Sequence, residues 1–460
     1  MPTECGDSDR LDPSLIRLAA TLMVGGLACL LNTTIVGVAL DDARADLGAD
    51  TAQIQWVATT YLLTLAIVVP TMPWALGRLG AGPLWRLSLV IFAVASLLCG
   101  AAWSTTSLVV FRILQGVGGG LILPLLQTIL ATAAGPRRLG RTMALVAVPG
   151  QLAPLAGPLL GGVLVDGPGW RWVFWISVPL SVAALALSWR GLQERVPADR
   201  HQLDVRGLLL FCPGLAMLLY GCTQITASAP VPLAWVPITA GTALLGAYVA
   251  HTRRSDRALM ELRMFANPSF ALAAGLMAVA GASIFGPMVL LPLFYQQARG
   301  ATAAETGLLL APLALATMAA LPLAGRLTDR LGPRPVLLAG TAVASLATLP
   351  YVIVPETGDL GLSAALFARG AGLAFATVPI TVAAYSRLAA EDIPGATALL
   401  SVIQRVGGSF GTALLLTVVG RQLAAGDSSL QAYGVAFGCT LVLSLVALVP
   451  AALLPRRANG

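Results

Sequence analysis

Three arginines, Arg112, Arg369 and Arg405, lie inside long stretches that are otherwise apolar. A charged guanidinium in hydrocarbon is costly, so each must face a polar cavity, find a partner, or snorkel its head to the interface. The carboxylates that could titrate opposite them are not where a proton relay would need them. None of the 21 acids falls in the middle of an apolar stretch. The nearest are Asp41 and Asp42 at the end of the first stretch, Asp166 at the end of the fifth and Glu305 at the start of the tenth. Thr302-Ala-Ala-Glu305 also reads as a capping box, which gives that acid a structural role. Uncharged polar residues are more numerous. Asn32, Tyr61, Gln115, Gln151, Tyr295 and Gln404 sit within apolar stretches, where they either line a cavity or hydrogen-bond a neighbouring helix.

Catalytic chemistry finds little support. The two histidines, His201 and His251, lie in or beside polar loops, and no HExxH pattern, clustered acids or Walker motif occurs. The six cysteines have no CxxC spacing. No cofactor or metal is expected. The net charge of +7 is spread over many short loops, so it does not point to nucleic acid.

The chain is 57% hydrophobic and 11% charged, with a mean hydropathy of +0.83. Soluble domains carry about 25% charged residues, so an all-α polytopic membrane protein in a lipid bilayer is expected. Apolar windows long enough to span fall near 15–40, 54–76, 86–104, 106–130, 143–165, 171–189, 206–225, 232–251, 269–295, 304–325, 335–354, 359–386, 394–420 and 431–454. Fourteen spans put both termini on one side. All 28 basic residues are arginine; with the N-terminus inside, 21 fall in inside segments and four, Arg44, Arg171, Arg299 and Arg421, in outside loops. The positive-inside rule then places both termini in the cytoplasm. Residues 1–14 lack a basic n-region, so the first apolar segment is expected to be retained as a span.

An internal repeat organises these spans. Gly80 in "LGRLG" recurs as Gly332 in "TDRLG" at an offset of 252. Gly116 and Gly118 recur as Gly370 and Gly372, and Gly157 as Gly411, all at 254. Two homologous six-span halves follow, at 15–189 and 269–454. Between them lies a linker at 190–268 with two additional transmembrane helices, and short tails at 1–14 and 455–460 flank the whole. Parallel halves of this kind are a transporter architecture.

Several stretches resemble the major facilitator superfamily, and within it the fourteen-span drug:proton antiporter branch. They are "LLNTTIVGVAL", "QWVATTYLLTLAIVVP", "VVFRILQGVGGGLILP", "AGPLLGGVLVDGPGWRWVFWISVP" and "GLLLAPLALATMAALPLAGRLTDRLGPRP", in family order over nearly the whole chain. The resemblance implies two six-helix bundles that rock about a midplane site, no cofactor, small-molecule cargo, protons as partner and a monomer in the bacterial cytoplasmic membrane. It gives Arg112 a part in proton transfer or substrate binding. Asp41 and Asp42 stand as the nearest titrating groups. Gly325, Asp329, Arg330, Gly332 and Arg334 form a gating motif, whose N-terminal counterpart keeps Arg78 and Gly80 but has Gly77 in place of the acid. Asn32 stands where many members carry an acid in the first span. Arginines without a central acid suit neutral or anionic compounds better than lipophilic cations.

The stretch "PGQLAPLAGPLLGG", residues 149–162, is the fifth span. Ala153, Gly157 and Gly161 recur every four positions and would let a neighbouring helix approach at backbone distance, while Pro154 and Pro158 bend the helix. By resemblance this pattern, including Gly162, marks exporters and argues against the alternative, a nutrient importer or facilitator.

Overall fold

The computed structural model describes residues 12–135, 138–192, 204–226, 231–254, 262–353, 358–386 and 388–454. It is helical throughout those segments. The N-terminal half contains α1 (Pro13–Asp46), α2 (Thr51–Val68), α3 (Met72–Leu79), α4 (Ala81–Gly100), α5 (Thr105–Ala134), α6 (Leu139–Asp166), α7 (Trp172–Trp175) and α8 (Ser177–Gly191). A single 3-10 turn at Val69–Thr71 joins α2 to α3, where Pro70 and Pro73 each remove a backbone donor. The linker forms α9 (Val205–Thr226) and α10 (Val231–Thr252). The C-terminal half contains α11 (Pro268–Leu293), α12 (Ala303–Leu331), α13 (Pro333–Leu346), α14 (Leu349–Ile353), α15 (Asp359–Tyr385), α16 (Ile393–Ala424) and α17 (Ser429–Leu453).

Twelve helices among the described residues are long and apolar enough to cross a membrane, against the fourteen expected. The other two long helices are α6, of 28 residues, and α10, of 22. Each contains side chains outside the description, and neither is among the twelve.

The chain runs back and forth along one axis, and its turns differ at the two ends. At the end carrying the first described residues, here the terminal end, Gly80 and Gly332 make the same turn, with φ +80° and +85°. A side chain there would strain the backbone, which explains glycine at both repeat positions. At the far end, α2, α5, α12 and α17 each open with a reciprocal capping box: Asp50/Gln53, Ser104/Ser107, Thr302/Glu305 and Ser428/Gln431. Glu305 is an exposed cap in this arrangement, accepting from the Thr302 amide at 2.8 Å.

Helix contacts repeat with the sequence. A Cβ on Gly118 would stand 2.6 Å from the Phe92 nitrogen and 2.7 Å from the Ser88 carbonyl. One on Gly372 would stand 2.6 Å from the Ala344 nitrogen and 2.8 Å from the Gly340 carbonyl. The glycines differ by 254 positions and each pair of partners by 252, so α5 crosses α4 as α15 crosses α13. The outer helices carry the exposed bulky residues, among them Leu87, Val90 and Val94 on α4 and Val442, Val446 and Val449 on α17. An apolar surface of this extent fits hydrocarbon rather than water. The linker helix α9 packs on α2 and α16, along a seam between the halves, with Cys212 Sγ donating to the Ile67 carbonyl at 3.3 Å.

Because backbone cannot yield as a side chain does, Gly118→Leu and Gly372→Leu should each destabilise the folded protein by about 3 kcal/mol. Gly246→Ala, in the interior of α10 where an added Cβ meets nothing within 4 Å, should instead stabilise by up to about 1 kcal/mol. Thermal melting in detergent checks all three; equal melting temperatures would contradict the packing assigned here.

Candidate functional site

Arg112 lies on α5 with 2% of its surface exposed. Its Nη1 donates to Asn32 Oδ1 at 2.7 Å and to Gln115 Oε1 at 2.6 Å, and its Nε donates to the Val57 carbonyl at 3.0 Å. The guanidinium carbon sits 3.9 Å from the centre of the Tyr61 ring and 5.7 Å from that of Phe174. Since both amide oxygens accept from Arg112, both amide nitrogens point onward. Gln115 Nε2 donates to Ser96 Oγ at 2.6 Å and Asn32 Nδ2 to Ser177 Oγ at 3.4 Å. The cluster thus draws on α1, α2, α4, α5, α7 and α8. All its partners are neutral. The cation is stabilised by oriented dipoles and by the face of an aromatic ring.

Asn32, Tyr61 and Gln115 are brought together around Arg112, and all three are fully buried. Tyr61 also places its hydroxyl 3.5 Å from Cys29 Sγ. Asp41 and Asp42 do not join them. Both are exposed, Asp41 pairs locally with Arg44 at 3.5 Å, and nine residues of helix, about 13 Å, separate Asp41 from Asn32. Tyr295 is also not at a cavity. It lies buried in the C-terminal core beside Phe294, its hydroxyl 2.9 Å from that of Tyr351. Gln404 is half-buried, with its carbonyl against Gly281 of α11. The side chains of Gln151, Pro154 and Pro158 are outside the described residues, although helix α6 runs through all three.

A second buried cation occupies the C-terminal half. Arg369, 3% exposed, donates through Nη1 to Thr348 Oγ1 and through Nη2 to the Ser283 carbonyl at 3.1 Å. By the repeat offsets Thr348 corresponds to Ser96 and Arg369 to Gln115, not to Arg112. The same interhelical contact is made in both halves, by an amide in one and a guanidinium in the other.

The halves meet at the terminal end. Asp329, near the end of α12, accepts from the Gly140 amide at 2.7 Å and the Arg141 amide at 3.2 Å, and Arg141 Nε lies 3.5 Å from its Oδ2. The carboxylate therefore sits on the N-terminus of α6, where unpaired amides and the helix dipole favour a negative charge. Gly325 and Gly140 make the approach possible: a Cβ on Gly325 would be 2.8 Å from the Gly140 carbonyl and 2.9 Å from Arg141 Cα. Gly332 forms the turn that follows. Of the motif's arginines, Arg330 and Arg78 are exposed and Arg334 is half-buried; Arg141 of the opposite half reaches Asp329. In the sequence Arg141 is one more arginine of an inside loop. The signal that could have singled it out is its place at the start of a span, two residues beyond Leu139.

Helix α6 is also the one that packs on α1. Ala153 and Gly157 are buried, and Thr34 Oγ1 donates to the Ala153 carbonyl at 3.1 Å. A Cβ on Gly157 would run into Thr34, and one on Gly161 would stand 3.2 Å from Val38 Cβ. Gly162 is off this face, with open space around its Cβ position.

Comparison with known proteins places this arrangement in context. The family model described as Major Facilitator Superfamily matches residues 22–412 and 271–459. A multidrug resistance protein B homolog of Mycobacterium tuberculosis (strain ATCC 25618 / H37Rv) is 35% identical over 494 residues, covering 98% of this chain and 92% of the relative. The uncharacterized MFS-type transporter YcnB of Bacillus subtilis (strain 168) is 29% identical, covering 93% of each chain. Among solved structures, the human organic anion transporter MFSD10 superposes with a TM-score of 0.65 at 16% identity, over 94% of this chain and all of that one. The proton:xylose symporter XylE gives 0.62 at 14% identity, over 94% and 96%. At such identities the two structures establish the shared fold.

Removing the charge at α6 tests the terminal contact. Asp329→Asn should cost the closed arrangement about 1–2 kcal/mol, a roughly tenfold shift of the equilibrium between closed and open terminal ends. Distances between spin labels placed on the two halves at that end should gain a long component. An unchanged distribution would show that the carboxylate does not hold the halves together.

Proposed function

The chain belongs to the major facilitator superfamily and is a multi-pass membrane transporter, and from that premise we propose that it exports amphipathic small molecules by alternating access. The reading includes fourteen spans, a bacterial cytoplasmic membrane, cytoplasmic termini, a monomeric carrier and proton antiport. The lengths of α6 and α10 suit a bilayer crossing. The arginine asymmetry favours the terminal end as the cytoplasmic one. A relative named for multidrug resistance, 35% identical over most of both chains, supports drug-like cargo.

One observation carries the reading: a single helix, α6, serves both the closure and the packing of its half. Its N-terminus receives Asp329 from the other half, and its small-residue face lies at backbone distance from α1. A change in how α6 leans on α1 therefore moves the surface that Asp329 grips. With the terminal end cytoplasmic, the contact closes the carrier on the inside, and breaking it admits cargo from the cytoplasm. Gly325, Asp329 and Arg141 act as the gate in this account. Arg112, with Asn32, Gln115 and Tyr61, fixes the geometry of the N-terminal bundle and supplies its positive potential. Proton coupling rests on family likeness, since Asn32 cannot titrate.

Everted membrane vesicles with an acidic lumen should accumulate amphipathic substrates, and dissipating the pH gradient should stop accumulation. Equal flux with and without the gradient would remove antiport and leave export standing. Gly157→Leu should insert normally and lose transport almost completely, because the side chain has no room against Thr34. Full activity in that variant would overturn the role given to α6.

A further inference from the structure

The third arginine in a span, Arg405 of α16, differs from the other two. Ser401, Arg405, Ser409 and Thr412 recur at i, i+4, i+8 and i+11, so they share one helix face. All four are half-buried. The adjoining face is occupied by α11: Gln404 packs through its carbonyl against Gly281, Gly407 against Ala278, Gly408 against Phe285 and Gly411 against Ala282. The polar stripe is turned roughly 100° from those contacts. Elsewhere α16 packs with α17 of its own half and with the linker helix α9, and across the interface with α5, the Val69–Thr71 turn and α3 of the opposite half. Arg405 comes within electrostatic reach of Cys29 and Tyr61, which adjoin the Arg112 cluster. It stands between the halves.

Arg112 donates to three oxygen acceptors and Arg369 to two, which hold each guanidinium in place. Among the described residues Arg405, Ser409 and Thr412 make no side-chain hydrogen bond, and no carboxylate lies at ion-pair distance from Arg405. The sequence holds no acid in the middle of any span that could serve as a counter-charge. A guanidinium placed between two bundles in a low-dielectric setting gains most from an anion that brings its own charge. Its planar fork suits a carboxylate or sulfonate, held by two parallel hydrogen bonds, with a serine hydroxyl one turn along as a further donor.

We propose that Arg405, with Ser409 and Thr412 beside it, anchors the anionic group of the exported molecule, so that the carrier's cargo is an amphipathic organic anion. The proposal rests on the exporter reading above and narrows it. Binding of the anion neutralises Arg405, which lowers the cost of closing the bundles around it. The substrate then completes the electrostatics that the chain itself leaves open.

The test uses the full-length protein in proteoliposomes with two matched sets of probes. One set is aromatic sulfonates and carboxylates, the other quaternary ammonium compounds on the same ring systems. Wild-type carrier should move the anions, and Arg405→Gln should lower their flux by at least about tenfold. Arg405→Lys, which keeps the charge and loses the fork, should retain an intermediate flux. Ser409→Ala should reduce anion flux severalfold, and it covers the case in which Arg405→Gln fails to fold, as judged by gel filtration. Unchanged anion flux in folded Arg405→Gln would overturn the proposal. Transport of the cations but not the anions by wild type would overturn it while leaving the exporter reading intact. Transport of neither set would count against both.

Discussion

A guanidinium buried with no carboxylate in reach has to be held by the oxygens of its neighbours, and that requirement organises the N-terminal half. Arg112 takes a backbone carbonyl from α2 and two amide oxygens, from α1 and α5. Each amide, its oxygen committed, must turn its nitrogen toward a further acceptor, and Ser96 on α4 and Ser177 on α8 supply these. One cation thereby sets the orientation of side chains on three other helices. An aspartate at position 32 would replace a dipole by a charge and could satisfy the guanidinium with fewer partners. With asparagine, the whole chain of acceptors has to be in place.

The same economy runs through the C-terminal half with different residues. Arg369 occupies the repeat position of Gln115 and reaches the counterpart of Ser96. Conserving the contact while changing its charge leaves each half with a buried cation that has no carboxylate among its hydrogen-bond partners. The closure between halves is one-sided in a comparable way. The carboxylate on α12 sits on the N-terminus of α6, whereas the corresponding position on the N-terminal side, Gly77, has no side chain to offer α16. Closure there depends on α3 and the Val69–Thr71 turn packing against α16.

Much of this was legible in the sequence. The offsets of 252 and 254 located Gly118 and Gly372, whose crossings the structure repeats to within a few tenths of an ångström, because a helix crossing at backbone distance tolerates only glycine there. Arg112, Asn32, Gln115 and Tyr61 stood out as polar groups in apolar spans, and they meet. Tyr295 stood out for the same reason and is instead part of an aromatic core with Phe294, Tyr351, Tyr433 and Phe437. An almost uniformly apolar helix carries no periodic signal to separate a face toward a bundle core from a face toward a cavity. Arg141 was hidden among other loop arginines, since its role depends on a contact 188 residues away. The count of spans differs from the sequence reading: fourteen apolar windows were expected, and twelve helices among the described residues qualify, with α6 and α10 not among them.

These features describe a carrier with arginines and no carboxylate in the middle of its spans, and the central claim is that this electrostatic character selects the cargo. The most direct measurement is equilibrium binding to the purified protein in detergent, comparing one aromatic scaffold carrying a sulfonate with the same scaffold carrying a quaternary ammonium. The account predicts that the sulfonate binds at least about tenfold more tightly, with the preference shrinking as salt screens the exposed part of the field. Equal affinity, or tighter binding of the ammonium compound, would contradict it.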